Sequence, residues 1–225
     1  MSVVLRTQDL CKTFKLGSDE VHALKSVNIE IHEGQLTILK GRSGSGKTTL
    51  INLLAAMDDP TSGKIFLRNE DISKYSSYEK DKLRRKKIGL CFQSGGLIST
   101  LTAQENIELG LRIADYPKKT REQRIKECLD LVGLSKRSAQ FPYELSGGEA
   151  QRIAIARTIA CNPEIIFMDE PTSALDTTTA LKIVKVLKEL VEKNNSTIVM
   201  TTHDPNMIDI ADRVYELSDG VIING

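Results

Sequence analysis

The loop that begins at Gly41 constrains the fold more than any other part of the chain. Gly41 is followed by four residues and then by Gly46-Lys47-Thr48, between an apolar run and a helical pattern. In a strand, loop and helix of this kind, the loop N–H groups and the positive end of the helix bind an anion. The sequence therefore predicts a nucleotide phosphate site formed by Gly41, Arg42, Ser43, Gly44, Ser45, Gly46, Lys47, Thr48 and Thr49.

Two residues of this loop have predicted roles of their own. Lys47 can reach the β- and γ-phosphates of a nucleotide, and the Thr48 hydroxyl can ligate Mg²⁺. A phosphate loop alone is compatible with kinases, GTPases, helicases and transport ATPases. The class of protein must therefore come from other motifs.

Strand-length apolar runs alternate with helical patterns along the chain, which predicts an α/β fold of the P-loop NTPase type with a mostly parallel sheet. The alternating stretch from Val21 to Ile31 predicts a small antiparallel sheet within residues 1–34. The predicted strands of the main sheet are Leu36 to Lys40, Ile88 to Phe92, Ile165 to Asp169, Thr197 to Thr201 and Val214 to Leu217.

A helical block interrupts these strands. Thr102 with Glu105 and Thr120 with Gln123 each fit a capping box, and Gly133 fits a helix stop. We therefore expect a single domain over residues 1–225, in which residues 1–94 and 161–225 form the nucleotide-binding core. Residues of about 95–160 are expected to form an inserted helical lobe.

Composition excludes some classes of function. The 31 basic and 30 acidic residues give a net charge of +1, which argues against a nucleic-acid binder. Four widely spaced cysteines (Cys11, Cys91, Cys128 and Cys161) indicate reduced thiols rather than a disulfide framework or a zinc site. The N-terminal residues do not resemble a secretory signal, and no apolar run approaches the roughly 20 residues of a spanning helix. We expect a cytoplasmic chain that does not itself cross a membrane.

Two further motifs separate the nucleotide-binding classes. In the run IIFMDE, Asp169 follows a predicted buried strand, where it can bind the metal, and Glu170 can polarise an attacking water. In LSGGEAQRIAIAR, Ser146 and two glycines precede a strongly helical run. This is a second phosphate-binding design at a helix start.

Together these motifs resemble the ATP-binding cassette (ABC) ATPases, over essentially the whole chain. The resemblance implies binding of ATP and Mg²⁺ between two head-to-tail chains, most simply a homodimer. It implies that the signature residues of one chain face the phosphate loop of the other. The signature residues are Ser146, Gly147, Gly148 and Glu149, and the last stands where the family more often has Gln.

The resemblance also implies roles for four isolated residues. Gln93 would contact Mg²⁺ and the attacking water, and His203 would read the γ-phosphate and support Glu170. Asp176 would end a loop that helps to build the partner's site. Phe14 would stack on adenine, although a place in the protein core is an alternative for this ring.

The stretch from Asp71 to Ile107 is similar to the branch that serves macrolide efflux, lipoprotein release, antimicrobial-peptide transport and division-site systems. In that branch, separate permease subunits supply the membrane-spanning helices, so we expect the chain at the cytoplasmic face of the membrane. Leu97, Ile98 and Leu101 are candidates for the groove that receives the permease, or are simply core residues. The alternatives are an ATP-gated module of a division-type complex that transports nothing, and a small-metabolite kinase.

A basic run lies before the strand predicted at Ile88. Glu79 and Asp81 interrupt it, which favours a solvated helix face over a membrane-binding surface. The basic residues are Lys80, Lys82, Arg84, Arg85, Lys86 and Lys87.

Overall fold

The structure is a computed structural model that describes residues 2–202 and 204–225. The strands are β1 (Val3–Leu16), β2 (Asp19–Val27), β3 (Glu30–His32), β4 (Leu36–Lys40), β5 (Ser62–Leu67), β6 (Glu70–Asp71), β7 (Ile88–Cys91), β8 (Ile165–Met168), β9 (Thr197–Thr201), β10 (Arg213–Ser218) and β11 (Val221–Asn224). The α-helices are α1 (Lys47–Leu54), α2 (Ser77–Lys86), α3 (Ala103–Ile113), α4 (Arg121–Leu131), α5 (Gly147–Ala160), α6 (Thr177–Asn194) and α7 (Pro205–Ile208).

The predicted α/β fold is confirmed. The main sheet has the order β11-β10-β4-β9-β8-β7, and all of its neighbouring strands are parallel except the β10–β11 pair. The second sheet is antiparallel in the order β2-β1-β5-β6, with β3 also paired to β1. The carboxyl ends of β4, β9, β8 and β7 therefore meet at one edge of the main sheet, where open α/β folds bind their ligands.

The main sheet is buried on both faces, because successive side chains of its strands enter different cores. Ile166 and Met168 pack among the residues of α3, α4 and α5, while Ile165 and Phe167 pack with α1 and the antiparallel sheet. Alternation of this kind is what a strand covered on both sides requires. It explains why these strands appear in the sequence as continuous apolar runs.

The predicted strand limits agree with the structure to within one residue. The first and fourth predicted strands have the bounds of β4 and β9, and the fifth is one residue shorter at each end than β10. Phe92 and Asp169 lie just beyond the ends of β7 and β8. Asp169 is therefore the first residue after β8, at the edge of the sheet.

One of the two predicted capping boxes is correct. Thr102 caps α3, since its hydroxyl accepts a hydrogen bond from the Glu105 N–H and its own N–H donates to the Glu105 carboxylate. The second prediction is wrong, because a 3₁₀ turn runs directly into α4. Thr120 therefore has φ of −111° and ψ of 0°, and its hydroxyl donates to the carbonyl of Pro117 instead. Gly133 follows α4 with φ of +69°, as a helix stop does.

Four of the six residues in the basic run before β7 form ion pairs with carboxylates of the chain itself. Lys80 pairs with Asp59, Arg84 with Asp81, Lys86 with Asp115, and Lys87 with Glu164.

Within the described part of the chain, no helix combines the length and the apolarity that crossing a bilayer requires.

Candidate nucleotide-binding site

The phosphate loop connects β4 to α1, and its glycines let the helix start without a side-chain cap. Gly46, the N-cap residue, has φ of +105°, and a Cβ atom there would lie 2.5 Å from the carbonyl oxygen of Ala23. Gly44 has φ of +81°. A side chain at either position would be strained, and at Gly46 it would also collide with β2. The first N–H groups of α1 therefore receive no side-chain cap, as an anion site requires.

Lys47 points back over this loop. Its ammonium donates to the carbonyl oxygens of Gly41 and Arg42, each at 2.9 Å, and the residue is only 7% exposed. Lys47 forms no ion pair within the part of the chain that the structure describes. A buried ammonium without a counter-charge is costly, so an anion such as a phosphate fits this position.

Asp169 lies opposite the loop and is held by two hydroxyls. Thr48 Oγ1 donates to one carboxylate oxygen and Thr201 Oγ1 to the other, each at 2.7 Å. The Glu170 N–H in turn donates to Thr201 Oγ1 at 2.7 Å. Thr201 therefore positions both carboxyl-bearing residues.

Glu170 occupies an unusual backbone conformation, with φ of +45°. Left-handed backbone is uncommon for residues with a side chain and occurs often at functional sites. Gln93, which follows β7, approaches Glu170 with an Nε2 to Oε2 distance of 3.5 Å. The two side chains face each other across the mouth of the site.

The segment after Gln93 is attached to α5. The two terminal nitrogens of Arg157 donate to the carbonyl oxygens of Gly95 and Gly96, each at 2.7 Å. Burial lowers the pKa of this guanidinium. Arg157 thus connects the loop of Gln93 to the helix that begins after Ser146, a connection that sequence motifs did not indicate.

These side chains surround a cavity of about 720 Å³. Most residues predicted for the phosphate site and its chemistry line it, namely Gly41, Arg42, Ser43, Gly44, Gly46, Lys47, Thr48, Thr49, Gln93, Asp169 and Glu170. The exception within the loop is Ser45, which is buried beneath the loop, where its carbonyl accepts a hydrogen bond from the Gly220 N–H. Sequence reasoning missed the other walls, which are Val21, His22, Ala23 and Lys25 of β2 and Asp219 and Gly220 of the turn before β11.

Phe14 does not itself line this cavity, but it neighbours a residue that does. It is directly opposite Val21 in the β1–β2 pair, so the two side chains share a face of the sheet, and Val21 lines the cavity. The ring is 39% exposed, so it is not a core residue.

The signature residues lie outside the cavity, at the start of α5. Ser146 is the N-cap, and its hydroxyl accepts a hydrogen bond from the Glu149 N–H at 3.2 Å. The Glu149 carboxylate accepts from the Ser146 N–H at 2.9 Å and from Arg137 at 3.0 Å. The bond from the Ser146 N–H is the main reason that the pKa of Glu149 is lowered. Glu149 thus completes a capping box, which the spacing Ser-x-x-Glu already indicates.

Asp176 also lies outside the cavity. It caps α6 by accepting hydrogen bonds from Thr179, whose hydroxyl and N–H lower the pKa of the Asp176 carboxyl. The predicted histidine, His203, falls outside the described residues.

A phosphate loop after one strand, with the carboxylate of another parallel strand bonded to the loop threonine, defines a P-loop nucleotide-binding protein. The family profile described as "ABC transporter" matches residues 24–173. The chain therefore belongs to the ABC transporter family, and it is an ATP-binding ATPase of that family.

Individual relatives are similar over nearly the whole chain. The uncharacterized ABC transporter ATP-binding protein MJ0796 of Methanocaldococcus jannaschii is 42% identical over 223 residues, which are 97% of this chain and 95% of that protein. The macrolide export ATP-binding/permease protein MacB of Vibrio parahaemolyticus is 38% identical over 221 residues, which are 98% of this chain and 34% of MacB. A solved dimeric post-hydrolysis structure of MJ0796 with ADP and Pi has a TM-score of 0.93 and 40% identity, and the match covers 98% of this chain and 97% of that one.

Proposed function

We propose that the chain is the ATP-hydrolysing subunit of an exporter, which drives a separate permease to extrude a substrate such as a peptide, a lipoprotein or a drug. The similarity to MacB supports this proposal, because MacB is named an ATP-binding/permease protein and this chain corresponds to 34% of its length. A permease encoded as a separate chain would supply the remainder. We place the chain at the cytoplasmic face of the membrane that holds the permease.

The observation that carries the ATPase chemistry is the bridge from Thr48 to Asp169. Two hard oxygen ligands lie 2.7 Å apart beside the phosphate loop, and Mg²⁺ prefers a few such ligands together with nucleotide phosphates. We propose that Thr48, Asp169 and Gln93 hold Mg²⁺. When bound, this ion would neutralise charge on the phosphates.

The chain's own residues would then position the reaction. Lys47 and the N–H groups at the start of α1 bind the β- and γ-phosphates, and the Phe14 ring stacks on adenine. Glu170 accepts a proton from the attacking water. The Gln93 amide, whose Nε2 lies 3.5 Å from Glu170 Oε2, helps to orient the carboxylate and the water. His203 is proposed to support Glu170 at the γ-phosphate.

We further propose that two copies of the chain complete each other's sites. The start of α5 at Ser146, Gly147 and Gly148 does not line the chain's own cavity, and we propose that its N–H groups bind phosphate in the partner's site. A second chain in head-to-tail orientation would bring this helix start, together with Asp176, to the nucleotide. The dimeric structure of the relative MJ0796 supports this arrangement.

Coupling to the permease is proposed for the loop between Gln93 and α3, at the start of the lobe formed by residues 95–160. Ile98 is 42% exposed there, while Leu97 packs against the core. The buried Asn106 fixes this loop, because its amide bonds the N–H and carbonyl of Ile98 and the carbonyl of Leu101. An exposed apolar side chain on a fixed loop suits a docking helix.

The test is the variant Glu170→Gln, examined for turnover and for molar mass by light scattering with and without Mg·ATP. We expect turnover to fall by roughly a hundredfold or more, because the proton acceptor is lost. We also expect an ATP-dependent shift from monomer to dimer. Glu192→Gln, at an exposed position of α6, is the matched control and should behave as the parent.

Two results would contradict parts of the proposal. Hydrolysis by Glu170→Gln at the parent rate would show that Glu170 is not the base. A monomer that persists with ATP bound would contradict a homodimer formed by the isolated chain, and would indicate either a different cassette partner or dimerisation that needs the membrane subunit.

A further inference from the structure

We infer that Lys12 is a positioning residue for nucleotide binding, which holds the Phe14 ring in place for the base. This inference rests on the proposed contact between Phe14 and adenine. The ammonium of Lys12 lies 5.0 Å from the centroid of the Phe14 ring, within the range of a cation–π interaction. Lys12 and Phe14 are two positions apart on β1, so their side chains leave the strand on the same face.

The Lys12 ammonium is itself held in place. It forms an ion pair with Asp58 at 2.7 Å and donates to the carbonyl oxygen of Asp59 at 2.7 Å. The Lys12 side chain is only 12% exposed, although the neighbouring Phe14 is 39% exposed. A fixed cation over one face of the ring restricts its orientation and leaves the other face for stacking.

The partners of Lys12 belong to the loop that follows α1, the helix of the phosphate site. Two hydrogen bonds of Thr61, one from its backbone and one to its side chain, join this loop to the same part of β1. The Thr61 N–H donates to the carbonyl of Cys11, and the Thr13 N–H donates to the Thr61 hydroxyl, both at 2.9 Å. The strand that carries Phe14 and the helix that carries Lys47 are therefore fixed to one another.

In this arrangement, Lys12 affects binding of the adenine base and not binding of the phosphates. The adenosine part of the nucleotide requires an oriented Phe14 ring, whereas the phosphates bind to the loop between β4 and α1. Loss of the cation should weaken binding of an adenine nucleotide by about two- to fivefold, which corresponds to a cation–π contact at an exposed site.

The experiment compares ADP with inorganic pyrophosphate by isothermal titration calorimetry of the full chain. Lys12→Met removes the cation and keeps an apolar stem, Lys12→Arg keeps a cation, and Phe14→Leu removes the ring. Lys15→Met is the matched control at an exposed lysine of the same strand. We expect Lys12→Met to bind ADP two- to fivefold more weakly and pyrophosphate as the parent does, with affinity for ADP restored in Lys12→Arg.

Three results would overturn the inference, and they are distinguishable. If Phe14→Leu weakens ADP binding and Lys12→Met does not, the ring contacts the base without help from Lys12. If Lys12→Met loses ADP and pyrophosphate equally, the residue supports the fold in general. If Phe14→Leu binds ADP as the parent does, the proposed base contact itself is wrong.

Discussion

The two glycine-rich helix starts of this molecule differ in what occupies their backbone N–H groups. At α1, the N-cap is Gly46 and no side chain caps the helix. At α5, the Ser146 hydroxyl and the Glu149 carboxylate already form a capping box. The start of α1 is therefore ready for an anion, whereas the start of α5 is partly satisfied by its own side chains. The two motifs look alike in sequence, but only at α1 are the first N–H groups left without a side-chain cap.

The charges beside the two helix starts also favour anion binding at α1 over α5. Lys47 places a positive charge beside the start of α1, within its loop. Glu149 places a negative charge in the first turn of α5, and that charge is offset by Arg137 at 3.0 Å. Binding of nucleotide phosphate should thus depend mainly on the first helix start.

The largest expected effect that tests this comparison is that of Lys47→Met. Removing the ammonium takes away the charge beside the phosphates, so the affinity for ATP should fall by roughly a hundredfold or more. Titration calorimetry on the isolated chain measures this directly, and Lys185→Met at an exposed position of α6 is the control. Parent-like affinity in Lys47→Met would mean that the start of α1 does not carry phosphate binding.

A smaller effect is expected from Thr201→Val, which keeps the shape of the side chain and removes its hydroxyl. Asp169 and the Glu170 N–H each lose a hydrogen bond, at a cost of about 2 to 4 kcal/mol in the free energy of unfolding. Turnover should fall by roughly ten- to a hundredfold because both carboxylates lose their positions.

The control for this variant is Thr197→Val at the opposite end of β9. The Thr197 hydroxyl accepts one hydrogen bond, from the Gly34 N–H, far from the cavity. Thermal unfolding and ATPase rate together separate the two variants. Equal loss of turnover in both variants would contradict the proposal that Thr201 positions Asp169 and Glu170.

The smallest effect concerns acid stability at the start of α5. The Ser146 N–H, with Arg137, holds the pKa of Glu149 below its ordinary value of 4.5. The bonds to this carboxylate therefore stabilise the fold above pH 4.5, and the stabilisation is lost as the pH falls through the lowered pKa. Glu149→Gln should lower stability slightly at neutral pH and make the decline in acid shallower. Thermal unfolding between pH 3 and 7 checks this, and curves that stay parallel would contradict it.

Sequence patterns predicted the local features of this molecule well. The bounds of β4 and β9 followed from apolar runs, since both strands are buried on two faces, and the capping box at α3 followed from its spacing. Thr120 was assigned wrongly because a 3₁₀ turn before α4 changes its backbone conformation, which no spacing rule reveals.

Contacts between distant segments were beyond the reach of pattern reasoning. The pairing of Asp169 with Thr201 depends on β8 lying beside β9, with Met168 opposite Met200. Arg157 reaches the loop of Gln93 only because α5 packs under β7. Such neighbours follow from strand order and helix packing, which are not written in local periodicity.

The capping box at α5 also decides which anions the signature can respond to. An uncapped glycine-rich helix start would collect free phosphate from solution. Here the backbone N–H groups of Ser146 and Glu149 already donate to the side chains of the capping box, so a lone phosphate gains few hydrogen bonds by binding. In the proposed dimer, a nucleotide held on the facing phosphate loop is presented at a high effective concentration and can compete with the cap. In that dimer, the signature would thereby favour a nucleotide presented by the partner over dissolved anions.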